Sequence, residues 1–243
     1  MDLGVKGRVA IVAASSKGLG RATAEALAAD GALVLLNGRD EAALDDAVAG
    51  ITSTGGTAAG IIADISDPAV PAQLVEDAVA RWGRLDIVVG NNGGPPPGRA
   101  LDVDDDAILA AVNANLLSSV RLARAAVPHL RAGGWGRICF ITSVSVRQPV
   151  PGLTLSNTAR AGLWAWAKTA ASDLAADGIT VNLACPGSHA TDRMTALGMG
   201  PGSGPLGDPG DFGKVVAFLC SEPAAFISGT AIGVDGSAVA GLL

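Results

Sequence analysis

RVAIVAASSKGLG, residues 8–20, joins an uninterrupted apolar run to a glycine-punctuated turn, and RATAEALAAD (21–30) continues it with helical spacing. The run shows no polar alternation, so both of its faces are destined for the interior, as in a central strand of a parallel sheet. A second run of the same kind, ALVLLN (32–37), follows the helix. Strand, helix, strand is the βαβ unit, whose crossover is right-handed. The pattern then repeats. Apolar runs lie at 57–63, 85–90, 136–142, 179–184 and 231–235, with helical segments near 40–52, 68–82, 105–131, 154–176 and 211–221. This alternation predicts a single domain over residues 1–243. Its class is α/β: a Rossmann-type doubly wound parallel sheet of about seven strands in a three-layer αβα sandwich.

The composition fits such a domain. Of 243 residues, 49% are hydrophobic and 16% charged, enough apolar material for a substantial core. A net charge of −6 argues against nucleic acid as a partner, because phosphate contacts need clustered Lys and Arg. No uncharged apolar run reaches the length of a membrane span, and MDLGVKGRVA lacks the basic start and apolar stretch of an export signal. Cys139, Cys185 and Cys220 are widely spaced in apolar surroundings, which predicts buried thiols. A cytoplasmic protein with no membrane partner and no metal site is expected.

Two loops stand out at the predicted strand ends. GNNGGPPPG (90–98) follows the fourth strand, and CPGSHATDRMTALGMGPGSGPLGDPG (185–210) follows the sixth. Loops as long as the second are commonly lids or binding segments. In doubly wound sheets ligands bind beyond the carboxyl ends of the strands, where both loops fall.

The turn Ser15-Ser16-Lys17-Gly18-Leu19-Gly20 opens the first helix. Gly18 and Gly20 permit close backbone approach, and unpaired N–H groups at a helix N-terminus suit a pyrophosphate. The alternative is a structural turn that glycine favours for its own sake. The second strand ends in Asn37-Gly38-Arg39, with no acidic residue placed to bind a ribose 2′-hydroxyl. Arg39 and Lys17 suit a 2′-phosphate instead, which selects NADP(H) over NAD(H). Against this stands the reading that both are ordinary solvated cations.

In this order and at these separations the residues resemble the short-chain dehydrogenase/reductase family, especially its 3-oxoacyl-acyl-carrier-protein reductase-like members. The resemblance covers nearly the whole chain. AASSKGLG (13–20) is similar to the family's Thr-Gly-x-x-x-Gly-x-Gly, with Ala13 and Ala14 in place of Thr-Gly. Asp64, followed by Ile65, matches the aspartate that contacts adenine. GNNG (90–93) resembles Asn-Asn-Ala-Gly; Asn91 fits, while Gly90 and Asn92 depart from it. Counting back from Pro128-His129 assigns the fourth-helix asparagine to Asn115 rather than Asn113. Pro186-Gly187 and Thr191 resemble the segment that holds the nicotinamide carboxamide, and Val234-Asp235-Gly236 the C-terminal turn. The family's helix pairs imply a homodimer or homotetramer, and Trp164 and Trp166 suit a subunit or core contact.

The catalytic set departs from the family. Ser143 matches its serine, and thirteen residues separate Ser143 from Ser156, the family's distance from serine to tyrosine. Ser156 therefore stands where the resemblance puts the tyrosine, and Arg160 where it puts the lysine. The chain contains no tyrosine at all. A phenol near pKa 10, lowered by a lysine, can protonate an alkoxide; a serine hydroxyl and a guanidinium relay protons poorly. Arg160 and Ser143 can still donate hydrogen bonds to a ribose or a developing oxyanion. Asn115 is expected to hold a water. His189 is a candidate acid near the nicotinamide, the alternative being a hydrogen-bonded loop histidine.

The resemblance thus implies an NADPH-dependent ketone reductase with a Ser/Arg site, acting on a small-molecule carbonyl substrate with room beside Ser156 for a bulky one. Two other classes stay open: a non-reductive enzyme performing elimination, cyclisation or aldol-type chemistry, and a non-catalytic NADP(H)-binding protein.

Overall fold

The computed structural model of the chain describes residues 1–198 and 206–241. Its centre is the strand read first. β1 (Val9–Val12) pairs in parallel with β2 (Leu33–Gly38) on one side and with β4 (Ile87–Gly90) on the other. The chain winds outward from β1 through β2 to β3 (Thr57–Ile62), returns to β4, and winds the opposite way through β5 (Gly136–Ile141), β6 (Ile179–Pro186) and β7 (Ala231–Val234). The resulting seven-stranded sheet has the order β3-β2-β1-β4-β5-β6-β7, with every pairing parallel. The winding reverses between β1 and β4, which opens a crevice at their carboxyl ends.

The uninterrupted apolar runs have the predicted consequence that each strand feeds two cores. Val9 and Ile11 join Leu35, Leu74, Phe140 and Leu163 on one face. Ala10 and Val12 join Leu27, Leu36, Phe212 and Val216 on the other. The first core packs under α3 (Val70–Trp82), α5 (Ser118–Gly133) and α6 (Thr154–Leu174); the second under α1 (Gly18–Ala29), α2 (Glu41–Ser53) and α8 (Pro209–Leu219). Trp166 meets Phe140 edge-on in the first core. All three cysteines are free and buried. Among the described residues, no helix is long and apolar enough to cross a membrane.

Helix starts follow local chemistry. Asp40 and Asp208 cap α2 and α8, and Asp104 caps α4 (Asp105–Val112), each with its carboxylate accepting a first-turn N–H. α1 has no such cap: the Lys17 side chain that precedes it accepts no first-turn N–H, and the first turn holds no acid.

Two segments differ from the sequence expectation. The stretch read as one helix over 105–131 is interrupted: α4 passes into a π turn, Asn113–Leu117, in which the Ser118 N–H donates to the Asn113 carbonyl, before α5 resumes. The long loop over 185–210 carries a short helix, α7 (Asp192–Ala196), and a bridge between His189 and Gly207; its residues 199–205 lie outside the described residues.

Candidate active site

A cleft of about 740 Å³ lies across the carboxyl ends of β1, β2, β4, β5 and β6. It is lined by Ser16, Lys17, Gly18, Leu19, Arg39, Asp64, Ile65, Asn91, Asn115, Ser143, Ser156, Arg160, Pro186, Gly187, His189 and Thr191. The structure therefore brings together sixteen residues singled out in the sequence. Ser15 and Gly20 do not line the cleft; they build its floor.

Ser15 is fully buried, where its hydroxyl donates to the Val12 carbonyl at 2.6 Å and accepts the Asn37 N–H at 3.1 Å. It ties the glycine turn to β2. A Cβ on Gly20 would fall 2.5 Å from the Ala14 carbonyl oxygen and 2.6 Å from Asn91 Nδ2, so the α1 start can approach the β1 end only with glycine there. Asn91 Nδ2 itself donates to that carbonyl at 3.0 Å. Gly18 has φ +58, and Ala14 has φ 45. Ala14 thus holds a left-handed turn that an L-residue adopts only with strain. The outcome is a cradle whose backbone N–H groups, at an uncapped helix start, face the cleft.

At the β2 end, Arg39 is largely exposed and its Nη1 lies 3.4 Å from Asp64 Oδ2. Lys17 Nζ contacts Asp40 Oδ2 at 3.1 Å. An acid does therefore follow Arg39 in the chain. Its carboxylate is committed, with one oxygen capping α2 at Ala43 and the other on Lys17, and those contacts hold Asp40 below the usual carboxylate range. Asp64 is held low chiefly by the backbone and hydroxyl of Ser66, with Arg39 adding to it.

The side of the cleft nearest α6 centres on Arg160, which is only 6% exposed on the inward face of that helix. Its Nη1 donates to the Ile141 carbonyl at 3.1 Å, and its Nη2 to Asn92 Oδ1 at 3.3 Å and Asn115 Oδ1 at 3.4 Å. Every partner is neutral. Burial, reinforced by the charge of Arg193, pushes the Arg160 guanidinium down to about 10. Three of its five N–H groups are used in these bonds, leaving two for a ligand. Asn115 is presented by the π turn, a feature that recurs at functional sites because the extra residue re-aims a side chain. Asn113 turns away, donating to the Ser66 carbonyl at 2.9 Å and accepting from Arg121 at 2.7 Å. The count that favoured Asn115 selected the residue that lines the cleft.

Ser143 starts a 3-10 turn, its hydroxyl accepting the Ser145 N–H at 3.1 Å. Ser156 is buried on α6, and its hydroxyl makes no hydrogen bond among the described residues. His189 is held firmly: Nδ1 lies 3.2 Å from the Gly187 carbonyl, and the ring meets Phe212 edge-on at 5.1 Å. Thr191 stands against Gly18, its methyl carbon 3.6 Å from where a Cβ on that glycine would be.

Among the cleft-lining residues that sequence reasoning did not assign a role, Asn92 and Arg193 carry the polar chemistry nearest Arg160. Asn92 was noted only as a departure from the family pattern; its Oδ1 holds Arg160, and its buried Nδ2 has no partner. Arg193, on α7, reaches over Gly94 to donate to the Pro95 carbonyl at 2.8 Å. Its signal, an arginine two residues past Thr191, is invisible without the fold.

Residues 13–237 match the family model described as enoyl-(acyl carrier protein) reductase. The chain belongs to the short-chain dehydrogenase/reductase family of oxidoreductases. It is similar to the 3-oxoacyl-acyl-carrier-protein reductase of Haemophilus influenzae, at 32% identity over 96% of this chain and 98% of that protein. Among solved structures it is similar to L-sorbose reductase from Gluconobacter frateurii complexed with NADPH and L-sorbose, with a TM-score of 0.92, 29% identity and full coverage of both chains. It is also similar to a 7α-hydroxysteroid dehydrogenase complexed with NADH and 7-oxo glycochenodeoxycholic acid, with a TM-score of 0.92, 27% identity and coverage of 100% of this chain and 98% of that one.

Proposed function

We propose that the protein is an NADPH-dependent reductase of a carbonyl compound whose site works without a tyrosine. The observation that carries this reading is Arg160: a buried guanidinium held by neutral oxygens, with two free donors, in the cleft that also holds Ser143 and Asn115.

The chain's own residues fit the cofactor. The Gly18–Gly20 cradle, closed to any larger side chain at Gly20, and the uncapped start of α1 suit a pyrophosphate. Arg39 and Lys17 flank the end of β2, and the one acid beside them is committed to its cap and its ion pair, which favours a 2′-phosphate over a 2′-hydroxyl. Family neighbours are found with either NADPH or NADH, so these residues decide the choice. Arg160 and Thr191 would hold the nicotinamide half, and bound there the cofactor supplies a hydride.

As a carbonyl is reduced, negative charge gathers on its oxygen. Ser143 and the free N–H groups of Arg160 donate to that oxygen, in a setting where desolvation strengthens each bond. The final proton comes from water held near Asn115. His189 secures the loop over the cleft through Gly187 and Phe212. Without a positioned phenol the step runs slower, by about 10²–10⁴, than with a general acid in place.

A second reading, reduction of a carbon–carbon double bond conjugated to a carbonyl, is favoured by the same absence. Its enolate needs an oxygen-holding cation more than it needs a strong acid at oxygen, and the matching family model is described as an enoyl reductase. Following NADPH oxidation with ketones and with the corresponding enones tests both readings. Turnover of ketones supports the first, turnover of enones with inert ketones supports the second, and turnover of neither overturns both.

A further inference from the structure

Six charged residues line the cleft, and their pairing is uneven. At the β2 end Lys17 and Arg39 each have a carboxylate partner. At the opposite end Arg160 and Arg193 have none among the described residues: Arg160 contacts amide and carbonyl oxygens, and Arg193 contacts the Pro95 carbonyl. Asp192, the neighbouring acid on α7, is exposed and pairs with neither. The two guanidiniums are close enough for the charge of Arg193 to depress Arg160. The amide Nδ2 of Asn92, in the same part of the cleft, is a buried donor with no acceptor.

Two cations and an orphan donor converging on one space lack the same thing, an anionic acceptor. Unpaired like charges repel, and burying one of them is unfavourable unless a counter-charge arrives. Lys17 and Arg39, which suit a 2′-phosphate, stand at the end of β2, whereas Arg193 is carried by the loop after β6.

We propose that the substrate is anionic, a keto or enone carboxylate, and that Arg193 binds its carboxylate while Arg160 faces the oxygen that gains charge. This assignment rests on the reductase reading for the identity of the reacting group, but the carboxylate site itself can be tested without turnover. The fork of a guanidinium matches a carboxylate with two parallel bonds, which a lysine cannot reproduce. Arg193 is carried on the short helix α7, and its bond to the Pro95 carbonyl already holds that helix against the 90–98 segment.

The test uses the full-length protein, alone and saturated with NADP⁺, titrated calorimetrically with 2-oxo and 4-oxo acids and the methyl ester of each. At least one acid should bind about tenfold or more tighter than its ester, the worth of a charge-assisted bond. Arg193→Gln should collapse the acid-to-ester ratio toward one, and Arg193→Lys should restore part of it. A purely structural role for Arg193 would weaken acid and ester alike and leave the ratio unchanged, which overturns the proposal, as does a panel in which no acid outbinds its ester. The same pairs are then assayed for NADPH oxidation. Discrimination in binding with no reduction leaves the carboxylate site standing and removes the reductase reading; equal kcat/KM for acid and ester with equal affinities does the reverse.

Discussion

Arg160 Nη2 donates to Asn92 Oδ1 across 3.3 Å, tying the inward face of α6 to the loop that follows β4. A guanidinium brings more donors than a lysine would at this position, and Asn92 provides an acceptor that an alanine would not. Asn115 and the Ile141 carbonyl complete its surroundings.

Asn92 and Arg160 should therefore be energetically coupled. Asn92→Ala alone should destabilise the protein by about 1–2 kcal/mol, since it removes one acceptor from a buried cation. In the Arg160→Lys background the same change should cost nothing or stabilise, since it then removes a buried amide that has lost its partner. A double-mutant cycle by urea denaturation measures the coupling; simple additivity would show that the contact has no energetic consequence.

Arg160 also sets an alkaline limit. Its proton is lost near pH 10 in the folded protein, well below the ordinary range of a guanidinium, so a function that needs the cation holds below about 10 and declines above it. Stability shifts oppositely. Above about 10 the unfolded chain still binds the proton that the folded one has lost, so this residue's unfavourable contribution to folding is relieved as pH rises. The expected result is a kcat/KM that falls about tenfold per pH unit above roughly 10. Arg160→Gln should have low activity with no such limb. A wild-type profile flat to pH 11 would exclude a required Arg160 cation.

Cofactor choice should rest on Arg39. Removing a charge-assisted bond to a 2′-phosphate costs about 1.5–3 kcal/mol, so Arg39→Ala should weaken NADPH at least tenfold while leaving NADH nearly unchanged. Asp40→Asn should tighten NADPH several-fold, because it frees Lys17 while asparagine still caps α2. Dissociation constants for both cofactors decide it, and equal affinities in the unaltered protein would refute the assignment.

Ala14→Gly should raise Tm. The left-handed φ of 45 costs an L-residue roughly 1–2 kcal/mol, partly offset by the greater unfolded-state freedom of glycine. A net gain of about 0.5–1 kcal/mol corresponds to a rise of roughly 1–4 °C in a chain of this size. A fall in Tm on calorimetry would mean that the turn is not strained.

These tests reflect how differently fold and site were written in the sequence. The strands were legible because burial on both faces leaves no polar interruption: ALVLLN and GRICFIT were each read to within one residue of β2 and β5. The cleft was legible wherever the motif order fixed it, from Lys17 to Thr191. The π turn at Asn113–Leu117 was not, for no glycine or proline marks it and its extra residue is set by packing against α6. The ion pair of Lys17 with Asp40 was missed because an N-cap carboxylate has a second oxygen that the local pattern does not assign. Arg193 was missed because its neighbour, Pro95, is ninety-eight residues away.

Introducing Ser156→Tyr and Arg160→Lys leaves Asn92 facing a cation with fewer donors, with its Oδ1 deprived of Nη2 and its Nδ2 still unpaired. Adding Asn92→Ala removes that buried amide, so the triple variant should fold better than the double. The phenol then stands where a proton is needed, and reduction of a small neutral ketone should rise by about 10²-fold or more over the parent. Reduction of the protein's own substrate should fall instead if that substrate fills the space beside Ser156, since a ring would be driven into an occupied site. Stopped assays with NADPH on both substrate types read the two effects separately. A triple variant that binds NADPH yet reduces no ketone would show that the frame no longer aligns a carbonyl for hydride transfer, and the conjugated double bond would become the better substrate.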